Sequence, residues 1–185
     1  MDAIAALTQR ASVAKLQAPG PTDEQLKILL NAAVRAADHG LIRPWRFVRI
    51  EGEGRERLGQ VFIRAGEKDK PDLGQPQREK LGKMPLRAPC LLLVIARVQD
   101  HPKVPAQEQI ISAGAAAQNI INAAFALGLG AMWRTGDMAY HPEVRSALGL
   151  AESEELVGYL YLGTPVNKIP APKPLATEPL LQDWP

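Results

Sequence analysis

Three short stretches of this chain carry side chains whose types and spacing could do chemistry. Arg10-Ala11-Ser12 sets a guanidinium two residues from a hydroxyl, Arg35 stands four residues before His39, and Trp133-Arg134-Thr135 lines up an aromatic, a fixed cation and a hydroxyl. Arginine is always charged, and its planar fork matches a carboxylate or phosphate bidentately. Ser12 could add a hydroxyl and a backbone N–H to the anion that Arg10 holds. Taken singly, Arg10 and Arg35 read as solvated surface charges, Arg35 facing outward near the end of a helix. Arg134 differs because it closes an apolar strand beside Trp133. The chemistry these residues suggest is anion recognition.

Other chemistries lack their signatures. His39, His101 and His141 are far apart, and none has a second ligand at helical or loop spacing, so no metal site is expected. His141 before Pro142 reads as a helix cap. There is no Gly-x-Ser-x-Gly elbow for a nucleophilic serine. Gly128-Leu-Gly130 follows a helix instead of a strand, and Trp133 stands where a dinucleotide fingerprint needs its third glycine. Those glycines read as a helix C-cap and a tight turn. A net charge of +2 argues against a nucleic-acid partner. The one cysteine, Cys90, rules out an internal disulfide framework, suits a reducing compartment and reads as a buried structural thiol. No secretory signal or membrane span is visible, so the expectation is a soluble, cytoplasmic protein.

Positioning elements follow from periodicity. Gln107 to Thr135 (QEQIISAGAAAQNIINAAFALGLGAMWRT) opens as a helix apolar on nearly every face, which expects to be surrounded, with an interface on at least one side. It delivers Trp133 and Arg134 through a strand over Leu129–Trp133. Asp2–Thr8 reads as a short amphipathic helix, followed by an irregular connector through Pro21. Thr22 and Gln25 form a capping-box pattern opening a helix expected to end near Ala37 or Asp38. Trp45–Glu51 alternates as a half-buried strand, and Gly52–Gly66 reads as a helix. Ala88–Val98 is a continuous apolar run, the candidate central strand. Pro142–Leu148 is a small helix and Leu156–Leu162 a last strand. Lys68–Pro85, charged and proline-interrupted, reads as a partly helical, mobile excursion covering a site.

With 185 residues, 46% of them hydrophobic, the chain suits a single domain over 1–185. Residues 164–185 hold six of the sixteen prolines and cannot be regular helix or central sheet. Their Val166, Ile169, Leu175, Leu180, Leu181 and Trp184 still need burial, which an arm laid on a partner subunit would provide. Helices come first and strands are scattered, which is the α+β class.

Taken together, the motifs resemble the nitroreductase family of flavoproteins, in its short YdjA-like branch. The resemblance rests on Arg10-Ala-Ser12, Arg35-Ala-Ala-Asp-His39 with Arg43-Pro-Trp45, Glu51-Gly-Glu-Gly-Arg-Glu-Arg57, Lys103-Val-Pro105 with Glu108, Trp133-Arg-Thr135 and Tyr159-Leu-Tyr-Leu-Gly-Thr-Pro165. It implies a sandwich of a central, mostly antiparallel sheet flanked by helices. It also implies a homodimer with a domain-swapped C-terminal arm and FMN at the subunit interface. The implied activity is FMN-dependent NAD(P)H oxidoreduction, hydride passing through flavin N5 to a nitroaromatic, quinone or similar small acceptor. Arg10 and Ser12 match the family's phosphate-holding Arg-Arg-Ser, while Ala11 replaces its second arginine; Lys15 is a cation that could stand in. The Arg35–His39 segment matches one that reaches the flavin from the partner chain, although Ala37 and Arg43 replace the usual Pro and Gln. Arg134 matches a contact at the phosphate or ribityl end, and Thr135 and Gly136 would offer N–H groups along the ring edge near N5. No side chain is assigned a catalytic role. The alternatives are a flavin-binding or sensor protein without turnover and a purely structural dimerisation module.

Overall fold

In a computed structural model, which describes residues 2–169 and 171–184, the chain begins with helix α1 (Ala3–Thr8), the short strand β1 (Leu16–Gln17) and α2 (Asp23–Ala33). Strand β2 (Trp45–Glu51), α3 (Glu53–Asp69), α4 (Gln75–Lys83) and β3 (Cys90–Arg97) follow. Then come α5 (Ala106–Ala126), β4 (Gly130–Arg134), α6 (Asp137–Tyr140), α7 (Pro142–Ala147) and β5 (Glu154–Pro165). The class is α+β, as expected. No helix among the described residues is long and apolar enough to cross a membrane.

The local signals explain most elements. Thr22 accepts from the Gln25 N–H while the Gln25 side chain accepts from the Thr22 N–H, completing the capping box of α2. Asp2 caps α1 one way, its carboxylate accepting from the Ala5 N–H. Gly128, at φ +77°, takes the left-handed position that ends α5 and turns the chain into β4.

Strand β5 organises the sheet. One of its edges pairs with β3, from Glu154 with Arg97 to Leu162 with Cys90. Its other edge pairs with β4, from Tyr159 with Arg134 to Gly163 with Gly130, and its end pairs with β1. Strand β2 completes the sheet on the far side of β3, and every pairing is antiparallel. The β3 run Leu91–Ala96 is buried throughout because helices cover both faces. On one face α2 and α5 pack on Leu92, Val94, Leu160 and Leu162; on the other, α3, α6 and α7 pack on Leu91, Leu93, Tyr159 and Tyr161.

Several expectations need correction. Helix α2 stops at Ala33, four residues short of Ala37: the Arg35 and Ala36 N–H groups bond three residues back, to Ala32 and Ala33, and Asn119 of α5 also donates to the Ala32 carbonyl (3.1 Å). The connector to Pro21 contains β1, and α6 had no place in the sequence reading. The Lys68–Pro85 excursion is partly helical, as expected: it contains α4 and runs into a 3-10 turn, Met84–Arg87, both packed on α3. Ile4 and Leu7 of α1 remain 68% and 60% exposed in the single chain, so its apolar stripe has no cover within it.

Candidate functional site

Strand β4 turns its last residues to different tasks by simple alternation. Ala131 and Trp133 face the α5 side, whereas Arg134 stands on the opposite face with its guanidinium over the Tyr161 ring, 5.7 Å from the centroid. The Trp133 indole donates to the Val157 carbonyl (3.2 Å), next to the bulge where β5 loses register with β3. Only glycine at 158 leaves room for that indole, since a Cβ there would overlap Trp133 Nε1. After Arg134 the chain passes through Thr135 and Gly136, whose φ of +76° and ψ of −178° favour glycine.

A cavity of about 370 Å³ opens below this turn, lined by Phe62, Met84, Arg87, Arg134, Met138 and Tyr161 among others. No Asp or Glu lines it. Arg134 Nε is buried and has no hydrogen-bond partner among the described residues. No ion pair among those residues includes Arg10, Arg87 or Arg134. Burial raises the Tyr161 phenol, and the charges of Arg87 and Arg134 pull it back. Buried polar groups are ordinarily paired, so an unpaired guanidinium nitrogen in a carboxylate-free cavity marks a place for an anionic or acceptor-bearing ligand.

A second hollow shares Met84, Gly136 and Met138 with the first and adds Leu73, Gln77, Lys80, Leu81 and Asp137. The Lys68–Pro85 excursion therefore walls an extension of the cavity, chiefly with apolar side chains.

The sequence-derived candidates fall into three groups. Trp133, Arg134, Thr135 and Gly136 all line the cavity. Arg10 and Ser12 do not, but the next residue, Val13, donates to the Ala131 carbonyl (2.9 Å), which binds their segment to the edge of β4. Arg35 and His39 lie on the α2–α5 side of the sheet, away from the cavity within one chain. There His39 Nδ1 meets Glu108 Oε2 at 2.7 Å, and the Arg43 N–H donates to Asp38 Oδ2 at 2.7 Å. Leu41 and Arg43 hold φ of +54°, a strained conformation for residues with side chains, and Leu41 is 79% exposed.

Sequence reasoning missed Arg87, Phe62 and Met138. Tyr161 entered it only as part of a motif. Their sequence separations carry no periodic signal; a lone arginine after a proline-containing turn looks like any surface charge.

The residues first weighed and set aside keep structural roles. Cys90 is buried in β3, its thiol pushed up by burial and by the nearby Glu51 carboxylate. His141 caps α7 by accepting from the Glu143 N–H (3.0 Å) and reaches Asp69 at 3.2 Å. No cluster of metal-ligating side chains occurs among the described residues.

Comparison with known proteins follows the same lines. The family model described as "Nitroreductase family" matches residues 7–164. The Escherichia coli (strain K12) protein named "Putative NAD(P)H nitroreductase YdjA" is 42% identical over 187 residues, covering 96% of this chain and 99% of that one. Among solved structures, a nitroreductase-like family protein from Bacillus cereus superposes with a TM-score of 0.83 at 24% identity, over 100% of this chain and 96% of the other. A nitroreductase with bound FMN from Desulfitobacterium hafniense DCB-2 gives 0.69 at 18% identity, over 100% of both chains. At these identities the two structures establish a shared fold.

Proposed function

The chain belongs to the nitroreductase family, and on that premise we propose that it is an FMN-dependent NAD(P)H oxidoreductase with its flavin at the Arg134 cavity. The observation that carries this reading is the buried, unpaired Arg134 Nε in a cavity without carboxylates. FMN brings an anionic phosphate, a hydroxylated ribityl chain and ring carbonyls, all acceptors of the kind this cavity lacks. The residues present therefore fit the cofactor.

In this reading Arg10 and Ser12 hold the phosphate from the outer edge of β4. Arg134 donates at the phosphate or ribityl end, with its charge kept in place by the Tyr161 ring. Thr135 and Gly136 turn their backbone N–H groups toward the ring edge. Trp133, anchored through Val157, fixes the end of β4 so that the turn is rigid. When bound, FMN supplies the redox chemistry, relaying hydride from NAD(P)H through N5 to a nitroaromatic, quinone or similar small acceptor. The chain's own part is to orient the cofactor and keep an open face beside it, with the Leu73–Met84 wall shaping the acceptor's approach.

The site extends to a second copy. Helix α5 leaves a stripe of Ile111, Gly114, Ala115, Gln118 and Asn122 outside the core, with Gly114 facing open space. Leu175, Leu180, Leu181 and Trp184 of the C-terminal arm are 76–96% exposed. Contiguous apolar surface of this kind seeks a partner. In a homodimer the α5 stripes would meet and the arm would cover the other subunit. The strained Arg35–His39–Arg43 segment would then reach the partner's flavin, with Glu108 orienting His39.

A flavin sensor or store without turnover is the alternative, and it draws on Ala11, which removes one phosphate arginine. Two measurements separate the readings. The purified protein is expected to show flavin absorption, and to oxidise NAD(P)H steadily when menadione or a nitroaromatic is supplied. Flavin absorption without oxidation would favour the sensor; a colourless dimer that takes up no FMN would contradict both.

A further inference from the structure

We propose that Arg87 is a second fixed cation for the FMN phosphate, filling the role left open by Ala11; this rests on the flavin reading above. Cys90 at the start of β3 pairs with Leu162 of β5, Leu162 pairs with Ala131 of β4, and the Ala131 carbonyl accepts from Val13. The start of β3 and the Arg10–Ser12 segment therefore lie at the same end of the sheet. Thr135 and Gly136 follow the opposite end of β4. Arg87 precedes Cys90 by three residues, so it approaches from the end where Arg10 and Ser12 are held, while its side chain lines the Arg134 cavity.

Its backbone is fixed from both sides. Pro85 is buried in the 3-10 turn, and Arg55 of α3 donates to the Ala88 carbonyl at 2.8 Å. Nothing in the fold uses the guanidinium: Arg87 is exposed and takes part in none of the ion pairs among the described residues. Both arginines bear on the Tyr161 phenol, so their charges share one locality. Two fixed cations beside one cavity with no carboxylate repel each other until an anion joins them, and a phosphate with several acceptor oxygens is the ligand that such a pair matches. Lys15, the stand-in suggested by sequence alone, is exposed and absent from the cavity lining.

The test uses the full-length protein stripped of flavin and titrated with FMN and, separately, with riboflavin, which lacks the phosphate. Arg87→Ala is expected to weaken FMN by roughly tenfold or more while leaving riboflavin affinity unchanged, and Arg87→Lys to restore part of the loss. Equal weakening of both flavins would overturn the assignment, because the contact would then be to the ring or ribityl chain. Unchanged FMN affinity with a raised KM for the acceptor would also overturn it, moving Arg87 to the acceptor side. A wild-type protein that binds neither flavin would sink the flavin reading itself, an outcome distinct from the other two. The melting temperature of the flavin-free Arg87→Ala protein should match wild type; if it does not, Arg87→Gln serves in the same comparison.

Discussion

Arg46 and Arg134 are both half-buried arginines on strands of the same sheet, β2 and β4, and they live in opposite electrostatic conditions. Arg46 meets Glu154 through Nε at 2.6 Å and Nη2 at 2.8 Å, a two-pronged pair that the Ala151 N–H (3.1 Å) and Arg97 (3.9 Å) reinforce. Arg134 has an aromatic ring beneath it, a buried Nε with no partner and no carboxylate in its cavity. One cation is satisfied by the fold. The other is held by the fold and left for something else. Desolvating a charge without a partner costs free energy, so the contrast separates an arginine paired within the fold from one available to the proposed flavin.

The sharpest way to break this contrast is to remove the satisfied pair. The Arg46 hydrogen bonds, helped by the Ala151 N–H and the Arg97 charge, hold the Glu154 carboxyl down to about 2 from an ordinary 4.5, which after screening of the partly exposed Arg46 amounts to about 1–3 kcal/mol of native-state stability. Because the folded value is the lower one, that stability is present above about pH 4.5 and is lost as pH falls toward 2. Glu154→Gln should therefore lower unfolding free energy at neutral pH by about 1–3 kcal/mol in urea denaturation and flatten the decline between those two pH values. An unchanged acid profile would remove Glu154 as the source of that slope.

Next in size is the packing that carries Arg134. Gly158→Ala should push the Trp133 indole off the Val157 carbonyl and cost about 1–3 kcal/mol, visible as a lower melting temperature and altered Trp fluorescence. Wild-type stability with an unmoved indole would mean that β4 yields more easily than its geometry suggests. The smallest effect is expected at the exposed His39. His39→Ala should weaken FMN by about 0.5–1.5 kcal/mol while leaving the proposed dimer intact in sedimentation. Dissociation to monomers with full flavin affinity per chain would instead assign His39 to assembly.

How far the sequence foretold these two regions depends on the range of the interaction. The capping box at Thr22, the alternation of Trp45–Glu51 and the apolar run ending in Val98 are local signals, and each element formed where its signal lay. Helix α2 ended early in a tightened last turn whose Ala32 carbonyl accepts from both the Arg35 N–H and the distant Asn119 side chain, a contact that spacing does not reveal. Strand β1 exists only because the chain passes the end of β5, and two residues carry no period to detect. The place of Arg134 at a cavity was legible from its position after an apolar strand beside Trp133. That its Nε has no partner among the described residues was not, because the statement concerns every residue around the cavity, from Phe62 to Tyr161. Arg87 stayed hidden for the same reason, brought to the site by strand register and not by spacing.

The central claim is that Arg134 is kept unpaired for the flavin. It is tested most directly by titrating flavin-free wild type and Arg134→Ala with FMN side by side. A lost charge-assisted hydrogen bond, about 1.5–3 kcal/mol, predicts affinity weaker by roughly ten- to a hundredfold, with the flavin-free variant at least as stable as wild type. Equal FMN affinity in the two proteins would contradict the account and leave the buried Nε without a role.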